Sequence, residues 1–596
     1  RHRHRRPCLH SILSSDPSTM AYTTMDPLTE YAWIMVFGVI TAFFCSCGIG
    51  ANDVANSFAT SVGSKALTLK QACGLAVIFE FLGAVLAGSN VAETIRKGIA
   101  DTNCYTGSYM DAAILMYGNL CVIGAVGIWL LLASYLEMPV STTHSTCGGL
   151  VGMAIVTKGS GCVIWYKKSG ADKLYIPGGI LGIVLSWIIS PVVSGIIAAL
   201  IFGIVRTVVL RSSNSYSRAI KTYPVLIWFA VWINCFFVLS KGISKKICPK
   251  GYKIWICHGT GGHVDGWIAF AFACGFGLLI ALLFLPVLGV MRRKIDEEFS
   301  DEGIAAAAAK AKSQQAAKEE REATVDETTG MAKTCANVKN TCLYSLNKNI
   351  HEVVEGDAAT ETLKALYANA EKFDPKTEAV FRYVQIFTAI CVSFAHGAND
   401  VANAIGPFMA IFAAYRDGVI VSKPNLGDDA YWILALGGAG IGIGVSLYGY
   451  KIMRAIGVKL AVITPARGFS MELSTATVIV IGSYIGLPLS TTHCQVGSTT
   501  GVGLLEGAKG VNKWILLKTA VGWIITLIIA GISAGLIVAQ GVQAPLAGSI
   551  DSPNTPQAIF LQHSCGEYIA MQKPLNYQYV NETIFPTVAF CNSSAI

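Results

Sequence analysis

Two short polar strings hold most of the residues in this sequence that could do chemistry. The string Gly50-Ala-Asn-Asp-Val-Ala-Asn56 recurs unchanged at 397–403, and a Pro-x-Ser-Thr-Thr-His string occurs at 139–144 and again at 488–493. Carboxylate and amide oxygens are ligands for hard cations, whereas hydroxyl groups can donate hydrogen bonds to the oxygens of an anion. Together the two kinds of string are suited to binding an oxyanion and a cation side by side.

The segments that carry these strings have the composition of membrane helices. Of the 596 residues, 53% are hydrophobic and only 14% are charged, with a mean hydropathy of +0.52. Soluble domains average about 25% charged residues, and disordered chains need low hydrophobicity, so both classes are excluded. The net charge of +8 is too diffuse to indicate a nucleic-acid partner. We predict an all-α polytopic membrane protein.

Apolar blocks near the length that crosses a bilayer, about 20 residues, give the predicted spans. They cover 31–49, 72–92, 112–135, 178–205, 224–240, 266–290, 379–395, 431–449, 474–487 and 515–539. Shorter apolar pieces at 145–156 and 495–505 follow the two Ser-Thr-Thr-His strings, and their length predicts re-entrant or broken helices. The total is about ten to twelve passes. Pro191, inside one block, predicts a kink or a split.

The two strings define an internal duplication. The aspartate and the histidine are 91 residues apart in the first copy and 93 in the second. Duplicated membrane halves whose polar motifs interrupt apolar segments at matched positions are typical of secondary transporters, and acidic residues inside the membrane are candidates for function. We expect two homologous, inverted repeats, although identity alone leaves a parallel arrangement open.

The remaining segments differ in composition from the two halves. We divide the chain into a basic extension (1–25), a first membrane half (26–290), a hydrophilic linker (291–378), a second half (379–540) and a polar tail (541–596). The extension precedes an expected start at Met20 or Met25. Basic residues at 292–294 predict a cytoplasmic linker, although the lysine-rich loop 241–265, expected on the opposite side, weakens this argument.

Two features of the polar loops predict contact with an oxidising compartment. The tail carries N-glycosylation acceptor patterns at Asn581 and Asn592, which would place it in an extracellular or lumenal space. The pairs Cys248–Cys257 and Cys565–Cys591 are candidate disulfides. No motif of a P-loop, a nucleophile elbow or a metal hydrolase is present, so we do not expect an enzyme.

The doubled pair of strings resembles the signature of the inorganic phosphate transporter (PiT) family. The stretch GANDVANSFATSVGSKALTLKQA, followed by AETIRKGI at 92–99, is similar to the eukaryotic sodium–phosphate symporters of that family, and the resemblance covers 30–290 and 375–540. It implies a phosphate symporter that works by alternating access with sodium as the co-transported ion and with no cofactor. The expected partners are phosphate, sodium and the lipid bilayer, with a homodimer as the assembly. The plasma membrane is favoured over a vacuolar or plastid membrane.

Phosphate suits these residues because it keeps a proton at neutral pH, whereas sulfate does not. A carboxylate can accept a hydrogen bond from the phosphate hydroxyl, and hydroxyls, amides and helix N-termini after the two prolines can bind the other oxygens. The predicted phosphate-binding residues are Asp53, Asn56, Ser141, Thr142, Thr143, Asp400, Asn403, Ser490, Thr491 and Thr492.

Charge balance predicts coupling to a cation. Neither string contains Lys or Arg, and an anion buried without a counter-charge is prohibitively costly, so Na⁺ or H⁺ must arrive with the substrate. The residues leave these two ions open, and only the resemblance favours sodium. The predicted sodium-binding or coupling residues are Asn52, Asn399, Glu80 and Glu472. The two glutamates match the family pattern; their alternative role is a helix–helix hydrogen bond.

Three other interpretations remain at this point. The same fold could couple phosphate to protons, or the chain could be an ion channel or a nutrient-sensing receptor. At the substrate level, arsenate should compete with phosphate and sulfate should not. His144 and His493 could cap or pack their helices as readily as transfer protons.

Overall fold

The computed structural model describes residues 28–106, 109–167, 178–242, 264–306, 349–354, 360–418, 429–485 and 489–543, with short pieces at 247–248, 255–257, 308–309, 313, 346 and 420. Within these ranges the chain is helical, and its β-structure is limited to isolated bridges. Nine helices of the described residues are long and apolar enough to cross a membrane. The chain is a multi-pass, all-α membrane protein.

Among the described residues, the first half and the start of the linker provide ten α-helices. They are α1 (Ala32–Asp53), α2 (Ala55–Gly63), α3 (Leu69–Ala87), α4 (Ser89–Gly98), α5 (Tyr109–Tyr135), α6 (Thr142–Lys158), α7 (Ile180–Val205), α8 (Ser215–Phe237), α9 (Gly266–Leu283) and α10 (Leu285–Glu298).

The described parts of the linker and of the second half provide six more. They are α11 (Glu361–Asn369), α12 (Pro375–Asp417), α13 (Asp429–Arg454), α14 (Pro465–Ile485), α15 (Thr491–Leu504) and α16 (Lys513–Gln543). Helices α6, α14 and α15 are not among the nine candidate spans, because they are shorter or more polar than those helices.

The Asn-Asp strings interrupt the apolar sequence but hardly disturb their helices. Only Val54 separates α1 from α2, and its backbone stays in the helical region (φ −64, ψ −19). The second copy lies inside α12, a 43-residue helix that runs through it without a break. The polar string of the second copy therefore interrupts the apolar sequence without breaking the helix. The polar side chains bond to neighbouring helices instead, so the backbone need not unwind to satisfy them.

The Ser-Thr-Thr-His strings start helices, as predicted. Ser141 and Ser490 are the N-caps of α6 and α15, and their hydroxyls accept hydrogen bonds from the backbone N–H of His144 and His493. This arrangement satisfies a backbone donor that the first helical turn leaves unpaired. The Ser490 hydroxyl also donates to that of Ser141 at 2.8 Å, so the two helices begin side by side.

From this shared start, α6 and α15 run to opposite ends of the molecule. Helix α6 ends at Lys158, close to Cys162, which forms a disulfide with Cys104. Helix α15 ends at Leu504, and the next carbonyl, of Leu505, accepts a hydrogen bond from Arg206. Equivalent helices that point in opposite directions are the arrangement an inverted repeat requires.

The two ends of the molecule have different chemistry. Helix α7 begins beside Ile164, whose carbonyl accepts from the Ile180 N–H, and it ends where Arg206 pairs with Glu371 of the linker. Hydrogen bonds from Arg211 and Arg206 lower the pKa of Glu371 below its ordinary value. We call these the disulfide end and the linker end.

Both disulfides of the described residues lie in loops away from the linker end. The predicted Cys248–Cys257 bond is present, and a second, Cys104–Cys162, was not predicted. It joins loops 58 residues apart in sequence, and no local spacing pattern links the two cysteines. Cys565, Cys591, both glycosylation patterns and the 1–25 extension lie outside the described residues.

Removing the Cys104–Cys162 bond should destabilise the protein. A crosslink restricts the unfolded chain, and its loss typically costs about 2–4 kcal/mol. We expect the Cys104→Ser, Cys162→Ser variant to melt at a lower temperature when its unfolding in detergent is followed by fluorescence. Cys235→Ser, which removes a free cysteine, is the control, and equal melting temperatures for the two variants would contradict this prediction.

A buried carboxylate cluster between the two halves

The two motif aspartates meet in the interior of the protein. Asp53 closes α1, Asp400 lies within α12, and both side chains are buried. Ligand atoms of Asp53, Asp400 and His396 lie within 4.8 Å of one another. Two carboxylates from different halves, gathered in a dehydrated interior, repel each other and favour the binding of a cation.

Asp400 has a full set of hydrogen-bond partners. Its Oδ1 accepts from the Asn399 amide at 2.7 Å, and its Oδ2 accepts from the Thr491 hydroxyl at 2.7 Å. The imidazole Nε2 of His396 lies 2.9 Å from the same Oδ2. Asp400 is therefore held by its own helix and by the first turn of α15.

Asp53 is bound more loosely. Its Oδ1 accepts a long hydrogen bond, 3.5 Å, from the Thr492 hydroxyl. Its Oδ2 is buried, and no hydrogen bond to it among the described residues has ordinary geometry, although the hydroxyl and the backbone N–H of Thr142 lie close to the carboxylate. A buried, unpaired carboxylate oxygen is costly, so this atom is the one most in need of a ligand.

The last asparagine of each Asn-Asp string donates a hydrogen bond to the other half. The Asn56 amide donates to the Thr492 hydroxyl at 3.0 Å, and the Asn403 amide donates to the Thr142 hydroxyl at 2.9 Å. Asn56 and Asn403 occupy the same place in their repeats. Each Asn-Asp string thus contacts the Ser-Thr-Thr-His string of the other half, which brings the four predicted strings into one site. Thr143 is buried beside Thr142.

The other two motif asparagines hold the loops that precede the short helices. Asn52 accepts from the Val140 N–H at 3.0 Å and donates to the Met138 carbonyl at 3.1 Å. Asn399, its equivalent, lies 3.4 Å from the Leu489 carbonyl. These contacts position α6 and α15, while a role for either amide in sodium binding stays a prediction.

Glu80 joins the cluster through His396. The imidazole Nδ1 lies 2.7 Å from Oε2 of Glu80, whose Oε1 accepts from Ser57 and Ser393. His396 therefore bridges two carboxylates, with one ring nitrogen toward each. Sequence reasoning missed His396, because the equivalent position in the first repeat is Ile49. The available signal was its place four residues before Asp400, on the same helical face.

His396 changes the charge balance. The strings contain no Lys or Arg, but the site does hold one side chain that can be cationic, because this imidazole can carry a proton. One imidazole still faces the carboxylates of Asp53, Glu80 and Asp400, so the ionised cluster keeps an excess of negative charge. A bound anion would add to that excess.

Glu472 occupies a second buried polar cluster. The hydroxyls of Thr60, Ser61 and Thr388 lie 2.5–2.7 Å from its carboxylate, and the Gln385 amide lies at 3.2 Å. The carboxylate therefore connects α2, α12 and α14 by hydrogen bonds, which is the alternative role considered for this residue. A part in cation binding stays a prediction.

The glycine of each Asn-Asp string marks a close helix crossing. A Cβ atom on Gly50 would lie 1.9 Å from the Ile441 carbonyl oxygen of α13, and one on Gly397 would lie 2.2 Å from the Glu80 carbonyl oxygen of α3. Small residues at such points let helix backbones touch. The glycines thus set how closely each aspartate-bearing helix packs on its neighbour.

Comparisons with known proteins agree on one family. The sequence profile described as PHO4, phosphate transporter family, matches residues 49–534. The chain is 31% identical to the phosphate-repressible phosphate permease pho-4 of Neurospora crassa over 87% of this chain and 99% of that protein. It is 26% identical to sodium-dependent phosphate transporter 1 of Mus musculus over 89% and 99%. A solved structure entitled "The sodium-dependent phosphate transporter" superposes with a TM-score of 0.60 at 29% identity, over 85% of this chain and 98% of that one.

Proposed function

Because this chain belongs to the phosphate transporter family, we propose that it carries inorganic phosphate across a membrane together with sodium, as a symporter that works by alternating access. The observation that carries this proposal is the buried cluster in which Asp53 lies beside Asp400 at the meeting point of the two short helices, with an Oδ2 that makes no hydrogen bond of ordinary geometry to the described residues.

Phosphate binding rests on the donors and acceptors around Asp53. Its free Oδ2 can accept the proton-bearing hydroxyl of phosphate, which sulfate lacks at neutral pH. The hydroxyls of Thr491 and Thr492 donate to the aspartates, and the Asn56 amide donates to both hydroxyls. All three groups can turn to the remaining oxygens. The N-termini of α6 and α15, which begin beside one another, add a favourable field for an anion.

Sodium coupling rests on the excess of carboxylates. Phosphate would enter a site that already holds several acidic groups and one imidazole, so its binding requires additional positive charge. Oxygen atoms from aspartates, asparagines and threonines are the ligands that a hard cation prefers. The similarity to proteins described as sodium-dependent supports sodium as that cation.

Alternating access is supported by the opposed short helices. Helix α6 leads from the cluster toward the disulfide end, and α15 leads toward the linker end. We assign the linker end to the cytoplasm and the disulfide end to the outside of the plasma membrane, since disulfides persist in an oxidising compartment. A rocking of one repeat against the other would open the site to each side in turn.

Replacing sodium should abolish transport. We expect cells that express this protein to take up radiolabelled phosphate saturably in sodium medium and at background level in choline medium. Sodium supplies the charge that phosphate binding requires, so choline, which is too large for an oxygen-lined cation site, cannot substitute. Arsenate should compete and sulfate should not. Uptake of equal rate in both media would contradict sodium coupling while leaving phosphate transport intact.

Proton coupling is the second candidate, and His396 is the observation that favours it. An imidazole between two carboxylates is a plausible carrier of a transported proton. The same assay at two pH values distinguishes the ions. Uptake in choline that rises as the external pH falls would support protons, whereas dependence on sodium at both pH values supports the first proposal. Uptake that never exceeds the external phosphate concentration would indicate a channel or a receptor.

A further inference from the structure

The histidines that end the two Ser-Thr-Thr-His strings form one aromatic stack with two tryptophans. The His144 ring lies 3.7 Å from that of Trp187 and 4.5 Å from that of His493, and the His493 ring lies 3.7 Å from that of Trp523. Both histidines are buried. The stack joins the first turns of α6 and α15 to the long helices α16 and α7.

Each histidine also binds the backbone of the long helix against which its own short helix packs. Nδ1 of His493 lies 3.0 Å from the Trp187 carbonyl oxygen, and Nδ1 of His144 lies 3.3 Å from that of Trp523. A carbonyl oxygen can only accept, so Nδ1 must carry the hydrogen in both rings. Nε2 of each ring finds no hydrogen-bond partner among the described residues. Among the described residues, the hydrogen bond of each imidazole is therefore the one that Nδ1 donates to a carbonyl oxygen.

The contact between α15 and α7 continues in register for two more turns. Cβ atoms on Gly497 and Gly501 would lie 2.2 and 2.1 Å from the carbonyl oxygens of Pro191 and Gly195. The two glycines of α15 follow His493 at steps of four residues, and Pro191 and Gly195 follow Trp187 of α7 in the same way. Each set therefore lies along one face of its helix. We call this row of close contacts between two helices a seam. His493 is its first residue, and the seam limits how far α15 can slide or rotate on α7.

The contact between α6 and α16 repeats this pattern. Cβ atoms on Gly148 and Gly152 would lie 2.5 and 2.1 Å from the carbonyl oxygens of Leu527 and Gly531. Again the residues follow His144 at steps of four. The two seams therefore use the same positions of the two repeats, and each begins one residue after the threonines of the site.

Pro191 leaves one backbone carbonyl of α7, that of Trp187, without its usual hydrogen-bond donor. In a continuous helix the N–H of residue 191 would donate to the carbonyl of residue 187, but proline has no N–H. Helix α7 continues through Pro191, so of the predicted kink or split the split is absent. The Trp187 carbonyl lacks its usual backbone donor and is contacted by His493. The equivalent donor in α16, the N–H of Leu527, is present, and the corresponding histidine contact is longer, 3.3 Å against 3.0 Å.

We propose that His493 and His144 are positioning residues for the phosphate site, and that Pro191 provides the free carbonyl to which His493 is anchored. The inference rests on the proposed function. Thr491 and Thr492, which bind Asp400 and Asp53, immediately precede His493. A rotation of α15 that follows loss of the anchor would carry both hydroxyls away from the aspartates and weaken phosphate binding.

Substitution of the histidines tests this role. In His493→Leu we expect the KM for phosphate to rise about tenfold, the order of effect of one lost buried hydrogen bond, with a smaller change in the maximal rate for each folded transporter. His493→Asn, whose amide can donate from nearly the place of Nδ1, should restore most of the affinity, and His493→Gln should not. The same changes at His144 should have smaller effects.

Pro191→Ala provides a second test that does not threaten the fold. Alanine favours a helix interior more than proline does, so a purely structural role predicts unchanged or improved stability and an unchanged KM. The new N–H should instead compete for the Trp187 carbonyl and raise the KM about threefold. Each measurement is normalised to the amount of monodisperse protein after size-exclusion chromatography.

The outcomes separate this inference from the proposed function. If the wild-type protein transports phosphate but His493→Leu and Pro191→Ala keep its KM, the positioning role is wrong and the proposed function stands. If asparagine restores no more affinity than leucine, the Nδ1 contact is not the anchor. If the wild-type protein takes up no phosphate, the proposed function itself has failed.

Discussion

Asp400→Asn is expected to reduce phosphate uptake at least about a hundredfold, and Asp53→Asn to do the same, because each removes one carboxylate from a buried, charged cluster. Asp400 accepts from Thr491 and lies 2.9 Å from His396. An asparagine amide would present a donor group to partners that donate, and it would remove one of the two carboxylates that His396 bridges. At Asp53 the substitution replaces the carboxylate whose Oδ2 is free for substrate.

The measurement is radiolabelled phosphate uptake for each milligram of folded protein. Asp296→Asn is the matched control: the same atoms change, but this aspartate is 43% exposed and pairs with Lys376 at the linker end. Exposed pairs of that kind contribute little, so uptake should stay near the wild-type rate. An unchanged rate in both Asp53→Asn and Asp400→Asn would remove the two aspartates from the site.

Gly50→Ala and Gly397→Ala are expected to prevent normal assembly of the helices. The added methyl groups would lie 1.9 Å and 2.2 Å from backbone oxygens of α13 and α3, and a backbone cannot turn aside as a side chain can. Relief requires the helices to separate, at a cost of about 3 kcal/mol. Because the aspartate follows the glycine by three residues, the separation would also displace the carboxylate.

Two other helical glycines serve as controls for this prediction. Cβ atoms on Gly74 of α3 and Gly124 of α5 would meet no atom within 4 Å. Alanine at these positions should be neutral or stabilising by up to about 1 kcal/mol, since glycine is a poor helix former. Size-exclusion profiles and melting temperatures in detergent provide the comparison. Equal behaviour of all four variants would show that the close crossings do not limit packing.

The sequence was sufficient to predict the strings of the site because they occur twice. Asp53 and Asp400, like Asn56 and Asn403, stood out as equivalents. The structure brings the two aspartates together and joins each of these asparagines to the Ser-Thr-Thr-His string of the other half. The starts of α6 and α15 were predictable from the Pro-x-Ser-Thr pattern, since proline ends one segment and serine caps the next. The sequence was most informative where a recognisable local motif occurred in both halves.

Features present in one copy were harder to predict. His396 has no equivalent in the first repeat, where Ile49 stands, so repetition offered no signal for it. Of the kink or split predicted at Pro191, the split is absent, since α7 continues through the proline and His493 contacts the released carbonyl. The Cys104–Cys162 bond depends on two loops that meet only after their helices pack. Each of these depends on tertiary contacts rather than on a local pattern.

The most direct test of sodium-coupled transport at the Asp53–Asp400 cluster uses the purified protein in liposomes. With an inward sodium gradient, the wild-type protein should accumulate labelled phosphate above its external concentration, and Asp296→Asn should do so equally. Accumulation should disappear when the sodium gradient is dissipated, and it should be absent in Asp53→Asn and Asp400→Asn. Accumulation that persists without a sodium gradient, or in either variant of the cluster, would contradict the account.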